Sequence, residues 1–193
     1  MRLFLVRHPK PDIREGICYG RSDIAVAPDE QARVFARLQS MLPQKAALYA
    51  SPARRCTGLA NDLAMTVSLA VSPAVSSTQP TLDARLWEMH FGTWEMQAWS
   101  DIPRAEVDAW AADMAGYRPG GGESVLQVAH RVREFFDYLV ERTSPAADVI
   151  IVCHAGTIRL LRECASSRST EEMALQAARA TGIAYGELVV LDL

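Results

Sequence analysis

Hydrophobic positions fall into short unbroken runs separated by longer stretches of helical spacing. Leu3 to Val6 form one such run, and "DVIIVC" (148–153) and the closing "ELVVLDL" form two more. Runs of this kind predict strands buried on both faces. "KAALYAS" (45–51) predicts a fourth, shorter strand. Between the strands, residues 29–42 place Ala32, Phe35, Leu38 and Leu42 on one helical face, and residues 53–70 carry another mostly apolar helical pattern. "RPGGGES" leads into a helix starting near Glu123 or Ser124, with Val125 to Val140 as its body, and a further helix begins near Gly156. Strands alternating with helices predict right-handed crossovers and a mainly parallel sheet. The expected fold is therefore α/β, a three-layer α/β/α sandwich with helices on both faces, in one domain spanning residues 1–193. Residues 73–122 break the rhythm and are expected as a small cap over one edge. Within them "PAVSSTQP" (73–80) is turn-rich with room for a short edge strand, and 82–122 is irregular and holds all four tryptophans.

Composition narrows the classes. A chain of 193 residues, 49% of them hydrophobic, can bury one sizeable core. A net charge of −3 supplies no broad basic field, which argues against a nucleic-acid binder and makes any anion site local. Cysteines 18, 56, 153 and 164 have neither C-x-x-C nor zinc spacing. The amino terminus does not resemble a signal peptide, and no apolar stretch approaches the ~20 residues that span a bilayer. A reduced, cytoplasmic protein with free thiols and no membrane partner is the expectation.

The candidate chemistry lies at strand ends. "LFLV" runs into Arg7-His8, "VIIVC" into His154-Ala155-Gly156, and "ALYA" into Ser51-Pro52 with Arg54 and Arg55 just after. Ligands of parallel α/β sheets bind beyond the carboxyl ends of the strands. Two histidines and two arginines converging there make a pocket for an anion. Zinc needs further ligands, and the arginines repel a dication while no carboxylate lies near either strand end. Phosphate matches the planar fork of arginine. A neutral imidazole there can attack phosphorus if a backbone carbonyl holds its other nitrogen. An alkoxide leaving group then needs an acid, and Glu88 in "LWEMHFGTWEM", flanked by Trp87, Met89 and Phe91, has surroundings expected to raise a carboxyl pKa.

Taken together these residues resemble the histidine phosphatase superfamily, also called phosphoglycerate-mutase-like. The matching motifs are Arg7-His8; Ser51-x-x-x-Arg55; Leu86-x-Glu88-x-x-Phe91-Gly92-x-Trp94-Glu95; "GGES" (121–124) followed by Arg131-Val132; and His154 with Gly156 in "VCHAGTIR". They occur in family order from residue 3 to about 160. The resemblance implies His8 as a nucleophile forming phosphohistidine and Glu88 as proton donor. It further implies Arg7, Arg55 and His154 on the phosphoryl oxygens, with a small phosphomonoester as substrate and no metal or organic cofactor. The compact length, "FGTWEM" and the "GICYG" loop (16–20) are most similar to the alpha-ribazole phosphatase branch. That likeness implies release of phosphate from alpha-ribazole 5′-phosphate, whose flat benzimidazole suits stacking on Trp94, Trp99, Trp110, Tyr19 or Tyr117. It also brings Gly20, Arg21 and Ser22 near the pocket as substrate-contact candidates.

The chain departs from the family in the loop after the nucleophile. Pro9 stands where Gly is usual, and "KPDIREG" has no counterpart of the Asn that many members place beside the phosphate. Proline has no N–H, so the donors there must be side chains. Arg54 reads as exposed, His130 as exposed or satisfied in the core, His90 as a cap-surface residue, and Cys56 and Leu59 replace the common Ala and Thr.

Overall fold

The computed structural model describes residues 1–69, 79–166 and 168–193. Six strands form one sheet: β1 (Arg2–Arg7), β2 (Lys45–Ala50), β3 (Ser68–Leu69), β4 (Thr81–Leu82), β5 (Asp148–Cys153) and β6 (Leu188–Asp192). Their order is β3-β2-β5-β1-β6, with β4 also pairing with β2. Every pair is parallel except β1 with β6. Six helices accompany them: α1 (Pro28–Leu38), α2 (Arg54–Ala64), α3 (Arg104–Ala112), α4 (Val125–Arg142), α5 (Ala155–Cys164) and α6 (Thr170–Arg179).

Alternation along the central strands makes two cores. Leu3, Leu5, Val149, Ile151 and Cys153 face α4, α5 and α6. Phe4, Val6, Ile150 and Val152 face α1 and α2 on the other side. Both sets are apolar because crossover helices cover both faces of a parallel sheet. This is the expected α/β/α sandwich. A third, smaller cluster joins Cys18 of the β1–α1 loop to Trp94 and Ile102 of the segment between β4 and α4, with Phe91, Trp110 and Tyr117 packed on it.

Several details differ from the sequence reading. Of the expected α1 row, Leu38 and Leu42 are buried and Phe35 packs on the core, but Ala32 is exposed and Val34 takes its place on the buried face. Helix α2 stops at Ala64, short of the expected 70, and most of "PAVSSTQP" lies outside the described residues. Helices α3 and α6 were not anticipated. Helix α3 buries none of its residues, so it carries no amphipathic signal. Helix α6 does announce itself, through the Ser169–Glu172 capping box.

Candidate active site

Strand register builds the site. In the parallel ladder Val6 pairs with Val152 and Arg7 with Cys153, so the next residues, His8 and His154, leave the sheet side by side. Their ring centroids are 5.2 Å apart. The His8 amide donates to the Cys153 carbonyl at 3.0 Å and the Ser51 amide to the Val152 carbonyl at 3.0 Å, which ties three strand ends together. Both imidazoles are buried.

A hydrogen bond selects the tautomer of His8. His8 Nδ1 lies 2.7 Å from the Pro9 carbonyl oxygen, so Nδ1 carries the proton and Nε2 keeps its lone pair. Ser51 Oγ accepts from the Ala53 amide at 3.4 Å and lies 2.8 Å from His154 Nε2, a contact in which either partner can donate. His154 is fully buried beside His8 and is not among the residues lining the cavity. Cys56 Sγ packs 3.7 Å from His154 Nε2, and burial pushes its thiol up to about 12. Burial, reinforced by the charge of Arg55, lowers both histidines well below the ordinary imidazole value.

The two arginines come from different elements. Arg55, in the first turn of α2, is almost fully buried and donates to the carbonyls of Ser22 at 2.7 Å and Gly20 at 2.6 Å. Arg7 ends β1, donates to the Ile183 carbonyl, and stacks on the Tyr185 ring 3.8 Å from its centroid. The buried Nε of each has no protein acceptor. Among the described residues neither has a carboxylate partner. Paired cations in a low-dielectric pocket are costly unless an anion shares it, and a phosphoryl group supplies one.

Glu88 reaches the same pocket from the segment ahead of α4. Its oxygens accept from the Met89 amide at 3.0 Å and from the Gly156 amide, in the first turn of α5, at 3.3 Å. Its surroundings are thus backbone donors as well as the apolar neighbours read from the sequence. Arg131 fixes its backbone, donating to the carbonyls of Arg85 (2.7 Å), Trp87 (2.6 Å) and Glu88 (3.2 Å). The same guanidinium forks onto both oxygens of Glu123 at 3.0 Å each. Burial alone would raise the Glu123 carboxyl, but Arg131 outweighs it and holds it low. Gly92 is needed here: at φ +57° a Cβ would lie 2.0 Å from the Gly120 carbonyl oxygen, so only glycine lets the acid segment lie on the 120–122 loop.

Beyond this polar end a cavity of about 460 Å³ opens, a size typical of small-molecule sites. Arg7, His8, Arg55, Glu88 and Gly156 line its head, and Trp99, Trp110 and Met114 are among the apolar residues of its walls. Trp99 and Trp110 lie nearly parallel, 8° apart with centroids 6.1 Å apart, and Phe91 meets both edge-on. Trp94 is instead core, its indole N–H donating to Glu106 at 2.6 Å.

The loop candidates divide. Gly20 lines the cavity; Arg21 and Ser22 are not among the lining residues. The Arg21 amide and the Ser22 hydroxyl both donate to Glu95, which also accepts from the Phe91 amide at 3.0 Å. Those two residues therefore fasten the loop to the acid segment. Arg54 is exposed as read, His130 is the exposed of its two readings, and His90 is 3.9 Å from Glu95. Two residues at the site, one on the cavity wall and one behind it, escaped the sequence reading. Arg159 sits one helical turn past Gly156 on the cavity wall, its Nε donating to the Thr181 carbonyl at 3.1 Å. Tyr185 covers Arg7 and is reached only because β6 pairs with β1.

A model of the histidine phosphatase superfamily (branch 1) matches residues 3–192. The chain belongs to that superfamily and is a phosphatase. The proposed phosphoserine phosphatase 2 of Hydrogenobacter thermophilus is 32% identical over 167 residues, 83% of this chain and 76% of its own length. The adenosylcobalamin/alpha-ribazole phosphatase of Salmonella typhimurium is 32% identical over 77 residues, 38% of each chain. Among solved structures, the mycobacterial glucosyl-3-phosphoglycerate phosphatase in complex with VO3 superposes with a TM-score of 0.75 at 24% identity, covering 98% of this chain and 91% of that one, a likeness of fold. Among the described residues no helix is long and apolar enough to cross a membrane.

Proposed function

We propose that this phosphatase works through a phosphohistidine on His8. His8 Nε2 attacks phosphorus as the ester P–O bond breaks, and Glu88 gives its proton to the departing alkoxide. Water then gives a proton back to Glu88 and attacks the same phosphorus; the P–N bond breaks, its electron pair returns to Nε2, and inorganic phosphate leaves. Arg7, Arg55 and His154 hold the phosphoryl oxygens through both steps. The observation that carries this reading is the 2.7 Å contact of His8 Nδ1 with the Pro9 carbonyl, which leaves Nε2 unprotonated and available. Quenching turnover of a ³²P-phosphomonoester should leave acid-labile label on the wild type and none on His8→Ala, with kcat/KM down more than about a thousandfold. Activity surviving in His8→Ala sinks the reading.

For the substrate we favour alpha-ribazole 5′-phosphate. A flat benzimidazole suits a cavity walled by Trp99, Trp110 and Phe91, and one relative bears that name. Arg159 favours a second reading. No carboxylate pairs with it among the described residues, so an acidic leaving group such as serine or glycerate, implied by the names of two other relatives, has a cation to meet. Comparing kcat/KM for alpha-ribazole 5′-phosphate, phosphoserine and 3-phosphoglycerate decides between them.

A further inference from the structure

The phosphoryl end of the pocket is short of neutral donors. Pro9 has no N–H, and residues 9–16 contain no amide side chain. Two tyrosines from distant parts of the chain occupy this side. Tyr19 comes from the β1–α1 loop and lines the cavity, its ring 5.5 Å from the guanidinium carbon of Arg55. Tyr185 precedes β6; its ring lies over Arg7 and 5.6 Å from the ring of His8. Their hydroxyl oxygens are 2.6 Å apart. One proton suffices for that contact, so a second hydroxyl proton is left over. Either hydroxyl can be the donor; of the two tyrosines only Tyr19 lines the cavity, so when Tyr185 donates the spare proton is Tyr19's to offer.

We propose that Tyr185 donates to Tyr19 and that the Tyr19 hydroxyl, so oriented, donates a hydrogen bond to the phosphoryl group in place of the donors the Pro9 loop lacks. This rests on the reading that the phosphoryl group sits at His8. Burial, and then the contact with Tyr185, raises the Tyr19 phenol, so it keeps the proton it has to offer. The same stack holds Arg7 from behind, which makes Tyr185 a positioning residue for both groups.

The test measures kcat and KM for p-nitrophenyl phosphate, the inhibition constant of orthovanadate, and the urea unfolding midpoint. Tyr19→Phe should lower kcat roughly 10- to 100-fold and weaken vanadate by a similar factor, with little change in midpoint. Tyr185→Phe leaves the Tyr19 proton in place and should cost only a few-fold in each. The double variant should resemble Tyr19→Phe, because the two hydroxyls act in one chain. Full kcat and unchanged vanadate inhibition in Tyr19→Phe overturns this inference alone. So does a Tyr185→Phe protein with a lowered midpoint and wild-type vanadate binding, since that is a structural role only. A wild type that neither hydrolyses the ester nor binds vanadate removes the reading beneath it.

Discussion

His8 Nδ1 and the carbonyl oxygen of Pro9 are 2.7 Å apart, a contact between neighbours in the chain that settles which imidazole nitrogen is free. The acceptor is the carbonyl of residue 9, which any amino acid possesses. The pyrrolidine ring is not part of it. Pro9→Gly should therefore fold and retain kcat/KM within about tenfold, or ~1.4 kcal/mol. A loss comparable to that of His8→Ala would show that the fixed φ of proline aims the carbonyl, and that the loop has no other means of doing so.

Arg131 spends its planar fork on five acceptors, three of them carbonyls of the acid segment at Arg85, Trp87 and Glu88. Lysine keeps the charge but has a single nitrogen with three donors and no fork. Arg131→Lys should lower kcat about tenfold or more through misplacement of Glu88, leave KM nearly unchanged, and destabilise the fold by about 2 kcal/mol. Steady-state kinetics beside a urea titration separates the two effects. A variant that loses stability alone would place Arg131 in the scaffold and outside the chemistry.

The sheet and the pair of histidines were legible because each rests on local pattern. Leu3 to Val6 and Val149 to Cys153 are apolar at every position, and equal register then brings His8 beside His154. Tyr185 was not legible, because its nearness to Arg7 depends on β6 pairing antiparallel with β1 across 177 residues of chain, which no local spacing encodes. Arg21 and Ser22 show a different limit. Their place in the loop was legible, but whether they meet the cavity or Glu95 depends on where the acid segment docks. Arg159 lies three residues after Gly156 on α5, the spacing of one helical face, and that signal was available and unused.

Gly156 lies in the first turn of α5 and needs no unusual backbone angle, yet a Cβ there would come within 2.5 Å of Glu88 Oε1. Alanine must displace the carboxylate, since the helix cannot yield as easily as a side-chain end. Gly156→Ala should lower kcat about 10- to 100-fold while the unfolding midpoint holds or rises, alanine being the better helix former by up to ~1 kcal/mol. Wild-type kcat in this variant would mean that the position of Glu88 is not critical to the reaction.

Burial keeps His8 and His154 neutral well below the ordinary imidazole value, and this makes stability depend on pH in one direction. In the unfolded chain both protonate as pH falls through about 6.5. In the folded chain they do not, so below that pH the unfolded state binds more protons and stability declines with acidity. Each histidine contributes a slope of up to about 1.4 kcal/mol per pH unit, beginning near pH 6.5 and ending at its lowered folded value. Above that range neither titrates in either state and the contribution is constant. Urea midpoints at pH 7.5, 6.5 and 5.5 should fall more steeply between the last two points for the wild type than for His154→Asn. The exposed or partly exposed His90 and His130 are common to both proteins and cancel in the difference. Equal slopes in the two proteins would mean that His154 takes up a proton as readily folded as unfolded, and that burial does not hold it neutral.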